Sequence, residues 1–385
     1  MILSANTAMP QNSSTKPVRA RDLGVPFDGT PGQFNAITDV PDVEVGSTTI
    51  IRGDGPLKVG EGPVRTGVTA VLPRGKNDTH PTYAGWFALN GNGEMTGTTW
   101  VEESGLLEGP IGITNTHSVG LVRDTVIQWA LRNKFVKEDE WSLPVVAETW
   151  DGWLNDINGF HVKPEHVLNA LDSAKSGAVA EGNTGGGTGM ICYGFKGGTG
   201  TSSRVLAKDD GGYTVGVLVQ CNCGIRRLLT IAGVPVGKEL PIQVDVGSKG
   251  SLPAPPGSDA RGDVGSIIIV IGTNAPLLPH QLKRIARRAS LGLARTGSIS
   301  GNGSGDIFIA FSTANPNADD APGPNKVETV SNDRIGALFE ATVQATEEAI
   351  VNAMVGAKTM TGVDGHTVEA LPHDELQRIM KKYNR

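Results

Sequence analysis

The sequence predicts a layered α/β fold with helices covering both faces of central sheets. Three observations carry that prediction. Apolar β-forming runs alternate with amphipathic helical stretches, glycine and proline punctuate the changes between them, and the composition is globular. With 385 residues, 38% hydrophobic and 19% charged, the chain can bury a large core and does not read as disordered. No repeat of fixed period is present.

Residues 35–51 read as a strand-and-turn region with alternating Val43 and Val45. Residues 66–72 (TGVTAVL) and 83–89 (YAGWFAL) are strands bounded by glycine and proline. Leu121, Val122, Val126, Trp129 and Ala130 recur at helical spacing, which predicts a helix over 117–133. Pro164 opens a short helix to residue 174. After the dense glycine region 181–201, residues 214–221 (TVGVLVQC) form a buried strand. Residues 240–265, rich in Pro, Gly, Ser and Asp, read as an exposed linker. Residues 266–271 (SIIIVI) are the most strongly β-forming run in the chain. Residues 277–296 place Leu278, Leu282, Ile285, Ala289 and Leu293 on one helical face. A glycine loop at 300–305 leads into a strand at 307–312. A last long helix begins near Ser331, with Ile335, Leu338, Phe339, Thr342, Thr346, Ala349, Ile350 and Met354 inward.

Composition also narrows function. The net charge is −6 without any basic tract, so nucleic-acid binding lacks support. The cysteines are Cys192, Cys221 and Cys223. An odd count without a CxxC pair argues against a disulfide framework or structural zinc and predicts three buried thiols in a reducing compartment. Residues 1–18 are expected to be a flexible segment, with no signal-peptide pattern, and no run is long enough for a membrane helix. A cytoplasmic protein is expected. There is no P-loop, no G-x-S-x-G elbow and no HExxH pair.

The sharpest junction is Gly265-Ser266, where a glycine-ended linker runs into the apolar strand. The Ser266 hydroxyl lies beside its own upstream carbonyl and can attack it in an N-to-O acyl shift. Hydrolysis of that ester frees an α-amine that titrates near pH ~7.7–8.0, where a general base works well. One residue then supplies nucleophile and base. The alternative is a Gly-Ser turn entering an ordinary core strand. Ser304 and Asp306 offer a hydroxyl and a carboxylate before the next strand, or merely a tight turn with a solvated acid. Asn222 can donate to an oxyanion or cap its strand. Glu148 beside Trp150 can hold an ammonium group or sit in a surface turn.

Taken together, these segments resemble the family of the L-aminopeptidase D-amidase/D-esterase and the β-peptidyl aminopeptidases. The resemblance rests on residues 19–40 (RARDLGVPFDGTPGQFNAITDV), 65–73 (RTGVTAVLP), 90–100 (NGNGEMTGTTW) and 147–156 (AETWDGWLND). It continues through 181–204 (EGNTGGGTGMICYGFKGGTGTSSR), 222–227 (NCGIRR), 265–277 (GSIIIVIGTNAPL) and 300–315 (SGNGSGDIFIAFSTAN). These stretches follow the family order from Arg19 onward.

The resemblance implies a four-layer αββα sandwich of the self-processing N-terminal-nucleophile type. Residues 19–385 would form one catalytic domain, cut into an α chain ending at Gly265 and a β chain spanning 266–385. It implies Ser266 as nucleophile and base, Ser304 and Asp306 as its neighbours, and Asn222 as oxyanion donor. Glu148 would receive the substrate amine, and Trp150 stands where some relatives carry tyrosine. Substrates would be short peptides, amides or esters with a free amine: small L-residues, D-Ala amides or β-amino acids. No metal or cofactor is required, and the αβ units would form a homo-oligomer. The competing readings are acyl transfer of the ornithine acetyltransferase type, whose nucleophile is threonine, and non-catalytic small-molecule binding.

Overall fold

The computed structural model describes residues 17–242, 256–257, 265–317 and 324–385. The expected flexible start falls almost wholly outside these residues, as does most of the linker expected at 240–265.

The chain begins with β1 (Glu44–Arg52), β2 (Val64–Leu72) and β3 (Thr82–Gly91), followed by α1 (Thr98–Ser104) and β4 (Leu106–Leu107). Next come β5 (Ile111–Asn115), α2 (Val119–Arg132), β6 (Val145–Thr149) and α3 (Pro164–Asp172). A small hairpin of β7 (Ile191–Cys192) and β8 (Phe195–Lys196) precedes β9 (Gly198–Val205), β10 (Thr214–Asn222) and the single turn α4 (Val236–Glu239). The remainder holds β11 (Ser266–Thr273), α5 (Pro279–Arg295), β12 (Gly305–Ser312), α6 (Gly336–Val355), the short pair β13 (Met360–Thr361) and β14 (Thr367–Val368), and α7 (His373–Lys382).

Two sheets form the centre. One has the order β1-β2-β5-β6, the other β4-β3-β12-β11-β10-β9. Between them lie Val71, Ile111, Ile113, Val145, Leu218, Ile268, Val270, Ile307 and Ile309. On the far face of the first sheet, Val68 and Leu72 pack against Val122, Val126 and Trp129 of α2 and Val167 and Leu171 of α3. On the far face of the second, Ile267, Ile269 and Ile271 meet Ile285, Ala289 and Leu293 of α5 and Ala345 and Ala349 of α6. The result is the expected four-layer αββα sandwich. It also explains the run 266–271. Alternate residues of a strand point to opposite faces, so a strand covered on both sides must be apolar throughout.

Three elements escape sequence periodicity. Strand β9 starts within the glycine region, where Gly200 lets α6 approach: a side-chain carbon there would sit 2.1 Å from the Ala349 carbonyl oxygen. Strands β5 and β6 are short, and their parallel pairing is non-local. Phe339, expected inward, is only partly buried, beneath the Arg288 guanidinium at 3.9 Å from its ring centre.

The cysteine reading is corrected. All three are buried, but Cys192 and Cys221 form a disulfide, and Cys223 lies outside it with its sulfur 3.9 Å from that of Cys221. The hairpin runs along the end of β10, with Tyr193 N–H donating to the Cys223 carbonyl at 2.7 Å, and this brings the two sulfurs together. An odd count in the sequence carries no trace of that pairing. No described helix is long and apolar enough to cross a membrane.

Candidate active site

The site lies where strand ends from both sheets converge. Ser266, the first residue of β11, pairs with Asn222, the last of β10. On the other side β11 runs parallel to β12, with Ile267 opposite Asp306, and β12 pairs Gly305 with Gly91 and Asp306 with Asn90 of β3. Glu148 lies near the end of β6 in the facing sheet, opposite Thr114 of β5.

The Ser266 side chain is almost fully buried, and its Oγ accepts the Gly305 N–H at 2.9 Å. Among the described residues no imidazole, carboxylate or lysine amine hydrogen-bonds that hydroxyl. Ser304 Oγ donates to Asp306 Oδ2 at 3.1 Å rather than to Ser266, and Ser300 Oγ donates to the same oxygen at 2.6 Å. Asp306 Oδ1 accepts the Ile267 N–H at 3.2 Å, fixing the backbone next to Ser266. Asn90 Nδ2 donates to Ser304 Oγ at 3.2 Å and to the carbonyls of Gly301 and Ser304 at 2.8 and 2.7 Å. The glycine loop is thereby held shut against β3.

Both atoms of the Asn222 amide have fixed partners. Oδ1 accepts the Ile191 N–H at 2.8 Å and Nδ2 donates to the Trp150 carbonyl at 3.0 Å. One partner is a donor and the other an acceptor, so the amide orientation is unambiguous. The second Nδ2 hydrogen is left for another acceptor.

Glu148 is buried, its Oε1 accepting the Glu94 N–H at 3.0 Å and its Oε2 the Thr116 hydroxyl. Burial pushes its carboxyl above the ordinary glutamate range. The Thr116 hydroxyl and Glu94 N–H pull the other way, while the Glu94 charge adds to the rise and His117 opposes it. Gly93 separates this carboxylate from the loop carrying Gly305. A side-chain carbon on Gly93 would lie 3.3 Å from Glu148 Oε1 and 3.0 Å from Gly305 Cα. Trp150 is 40% exposed and leans over Gly152.

Ser266, Ser304, Asp306 and Asn222 are therefore brought together, with Glu148 and Trp150 beside them. Sequence reasoning missed Ser300, Asn90, Thr116 and the N–H groups of Gly305, Glu94 and Ile191. Asn90 and Glu94 sit in the stretch 90–100 that carried the resemblance, which was the available signal; backbone donors leave none. The arrangement offers a buried hydroxyl nucleophile, an amide donor beside it and a carboxylate able to take an ammonium group.

Known proteins similar to this chain share its fold. The model of Peptidase family S58 matches residues 35–368. The β-peptidyl aminopeptidase BapA of Sphingosinicella microcystinivorans is 58% identical over 376 residues, covering 97% of this chain and 94% of that protein. The solved L-aminopeptidase D-Ala-esterase/amidase of Ochrobactrum anthropi, described as a prototype for the serine aminopeptidases and a variant of the Ntn hydrolase fold, is 48% identical with a TM-score of 0.86. The match covers 96% of this chain and 99% of that one. A β-aminopeptidase from Burkholderia sp. is 47% identical with a TM-score of 0.84, covering 95% of this chain and 99% of that one.

Proposed function

The chain belongs to peptidase family S58, and from that premise we propose that Ser266, released by cleavage of the Gly265–Ser266 bond, is both nucleophile and base. It is a serine aminopeptidase and amidase of the N-terminal-nucleophile fold. The observation that carries the proposal is the Ser266 hydroxyl itself. It heads a buried strand, accepts the Gly305 N–H at 2.9 Å, and has no side-chain base bonded to it among the described residues. A buried serine without a base is a poor nucleophile; an α-amine on the same residue supplies one.

In the processing step Ser266 Oγ attacks the Gly265 carbonyl carbon. The C–N bond breaks, and the resulting ester is hydrolysed to a Gly265 carboxylate and a free Ser266 amine. In turnover that amine takes the hydroxyl proton as Oγ attacks the substrate carbonyl. The second Nδ2–H of Asn222 stabilises the oxyanion. The protonated amine then returns its proton to the leaving nitrogen, and water clears the acyl-enzyme. Glu148 receives the substrate's ammonium group, Trp150 bounds that pocket, and Ser304 with Asp306 holds the backbone around Ser266. Among small L-residues, D-Ala amides and β-amino acids, the name β-peptidyl aminopeptidase carried by two relatives supports β-aminoacyl peptides as the substrates of this chain. A homo-oligomer of αβ units is part of the same proposal and rests on the family resemblance alone. Acyl transfer of the ornithine acetyltransferase type is not favoured, since the nucleophile position holds serine.

Denaturing mass spectrometry tests this reading. Wild-type protein should give two fragments divided before Ser266, and Ser266→Ala a single chain of 40.2 kDa. A wild-type chain that stays whole yet hydrolyses aminoacyl amides would refute it.

A further inference from the structure

Beneath Asn222 lies a buried lysine that the proposed mechanism leaves unused. Lys196 is fully buried, opposite Ile191 in the β7–β8 hairpin. Its ammonium donates to the Met190 carbonyl at 2.7 Å and the Gly197 carbonyl at 2.9 Å. Gly197 N–H also donates to the Met190 carbonyl at 2.9 Å, so the lysine closes the mouth of the hairpin. The next N–H along the chain from that carbonyl belongs to Ile191, and it holds Asn222 Oδ1.

The other side of the Asn222 amide rests on an equally buried acid. Asp151 follows Trp150, whose carbonyl accepts Asn222 Nδ2. Asp151 is 1% exposed, with Oδ1 accepting the Asn155 amide at 3.0 Å and Oδ2 buried without a hydrogen-bond partner among the described residues. It abuts Gly189, where a side-chain carbon would lie 2.9 Å from Asp151 Cβ. Residues 189–191 therefore thread between Asp151 and Lys196. An isolated buried ammonium is costly, and Lys196 makes no ion pair within 4.0 Å among the described residues. Burial lowers Lys196 to about 7 and raises Asp151 to about 7, with the Asp151 charge opposing the fall at Lys196. A fully buried lysine that does no more than close a two-residue hairpin would be an expensive substitute for an apolar side chain.

We infer that Lys196 is a positioning residue for the oxyanion donor, locking the Met190–Ile191 peptide so that Asn222 presents its second Nδ2–H to the Ser266 site. The inference rests on the assignment of Asn222 above. A small displacement of such a donor is enough to slow the chemical step, since about 1 Å of misplacement can cost ~10²-fold. The role predicts a loss in kcat that passes through Asn222 and leaves substrate binding at Glu148 untouched.

The test is a double-mutant cycle on Lys196→Met and Asn222→Ala, with rates on a β-alanyl anilide normalised to the processed fraction measured by mass. Lys196→Met should lower kcat by about 10- to 100-fold with KM changed less than about two-fold, and should add less than about two-fold in the Asn222→Ala background. Lys196→Gln, which keeps an N–H donor without the charge, should recover part of the loss. An equal loss in both backgrounds, a change confined to KM, or no change overturns the inference while leaving Asn222 in place. If neither variant yields folded protein, Lys196 is a folding residue and the inference fails. An unchanged kcat in Asn222→Ala alone would instead remove the assignment on which it stands.

Discussion

Gly305 and Ser266 are joined by a backbone-to-side-chain hydrogen bond of 2.9 Å that crosses from β12 to the first residue of β11. The bond orients the Ser266 hydroxyl before any substrate arrives. A side-chain carbon at Gly305 would lie 2.4 Å from the Asn92 carbonyl oxygen and 2.7 Å from Gly93 Cα, so this position tolerates only glycine. Gly305→Ala should therefore shift the loop, slow the appearance of the two fragments and lower kcat by about ten-fold or more. A time course of fragment formation with steady-state rates checks it; wild-type kinetics in both would show that the bond does not matter to the proposed nucleophile.

Glu148, the carboxylate proposed to take the substrate amine, makes a separate prediction. Glu148→Gln keeps the size and the acceptor for Glu94 N–H but removes the charge, so KM for free-amine substrates should rise by about ten-fold or more while kcat falls less. The pH dependence has a definite sign. Ammonium binding needs the ionised carboxylate, and burial places this group above the ordinary glutamate range. KM should consequently begin to climb, as pH falls, at a higher pH than an exposed glutamate would cause. Glu148→Gln should abolish that limb. An N-blocked ester, which has no ammonium, should show neither effect.

How much of this was readable depends on what each feature needs. Strand β11 was legible because burial on both faces leaves only apolar residues, a signature carried entirely within the run. Strand β9 was not, because its Gly200 answers to α6, more than a hundred residues away in sequence. Ser266, Asn222 and Glu148 were named as candidates, since side chains are visible in sequence. Their partners were hidden: Gly305, Glu94 and Ile191 contribute only N–H groups, which every residue but proline possesses. The Cys192–Cys221 pair was missed for the same reason as the Asn222–Ile191 bond. Both depend on the hairpin folding back along β10.

Asn222 holds two structural bonds besides its proposed catalytic one, so Asn222→Ala should act on two observables. kcat should fall about 10²–10³-fold through loss of the oxyanion donor. Stability should fall by about 1–3 kcal/mol, because the Ile191 N–H and Trp150 carbonyl lose their partner. Urea melts beside kinetics at saturating substrate separate the two. A stability loss with full turnover would leave Asn222 a strand-end brace and nothing more.

The last prediction concerns the ion cluster that ties the N-terminal segment to α6. Glu348 accepts from Arg21 at 2.8 Å, from Arg204 at 2.7 Å and from Asn35 at 2.6 Å, and it is almost completely buried. Burial alone would raise its carboxyl. The Arg21 hydrogen bonds and the Arg204 and Arg21 charges outweigh that and hold it below the ordinary glutamate value. A carboxyl depressed by folding adds stability that is complete above its unfolded value and disappears as pH falls through the folded one. Glu348→Gln should therefore destabilise the protein at pH 7 by about 3 kcal/mol or more, because buried Arg204 loses its counter-charge. Below the ordinary glutamate value, the variant should lose less further stability on acidification than the parent. Urea melts at several pH values, made in the Ser266→Ala chain so that one polypeptide unfolds, measure both slopes. Parallel slopes would mean that Glu348 is not the group taking up the proton.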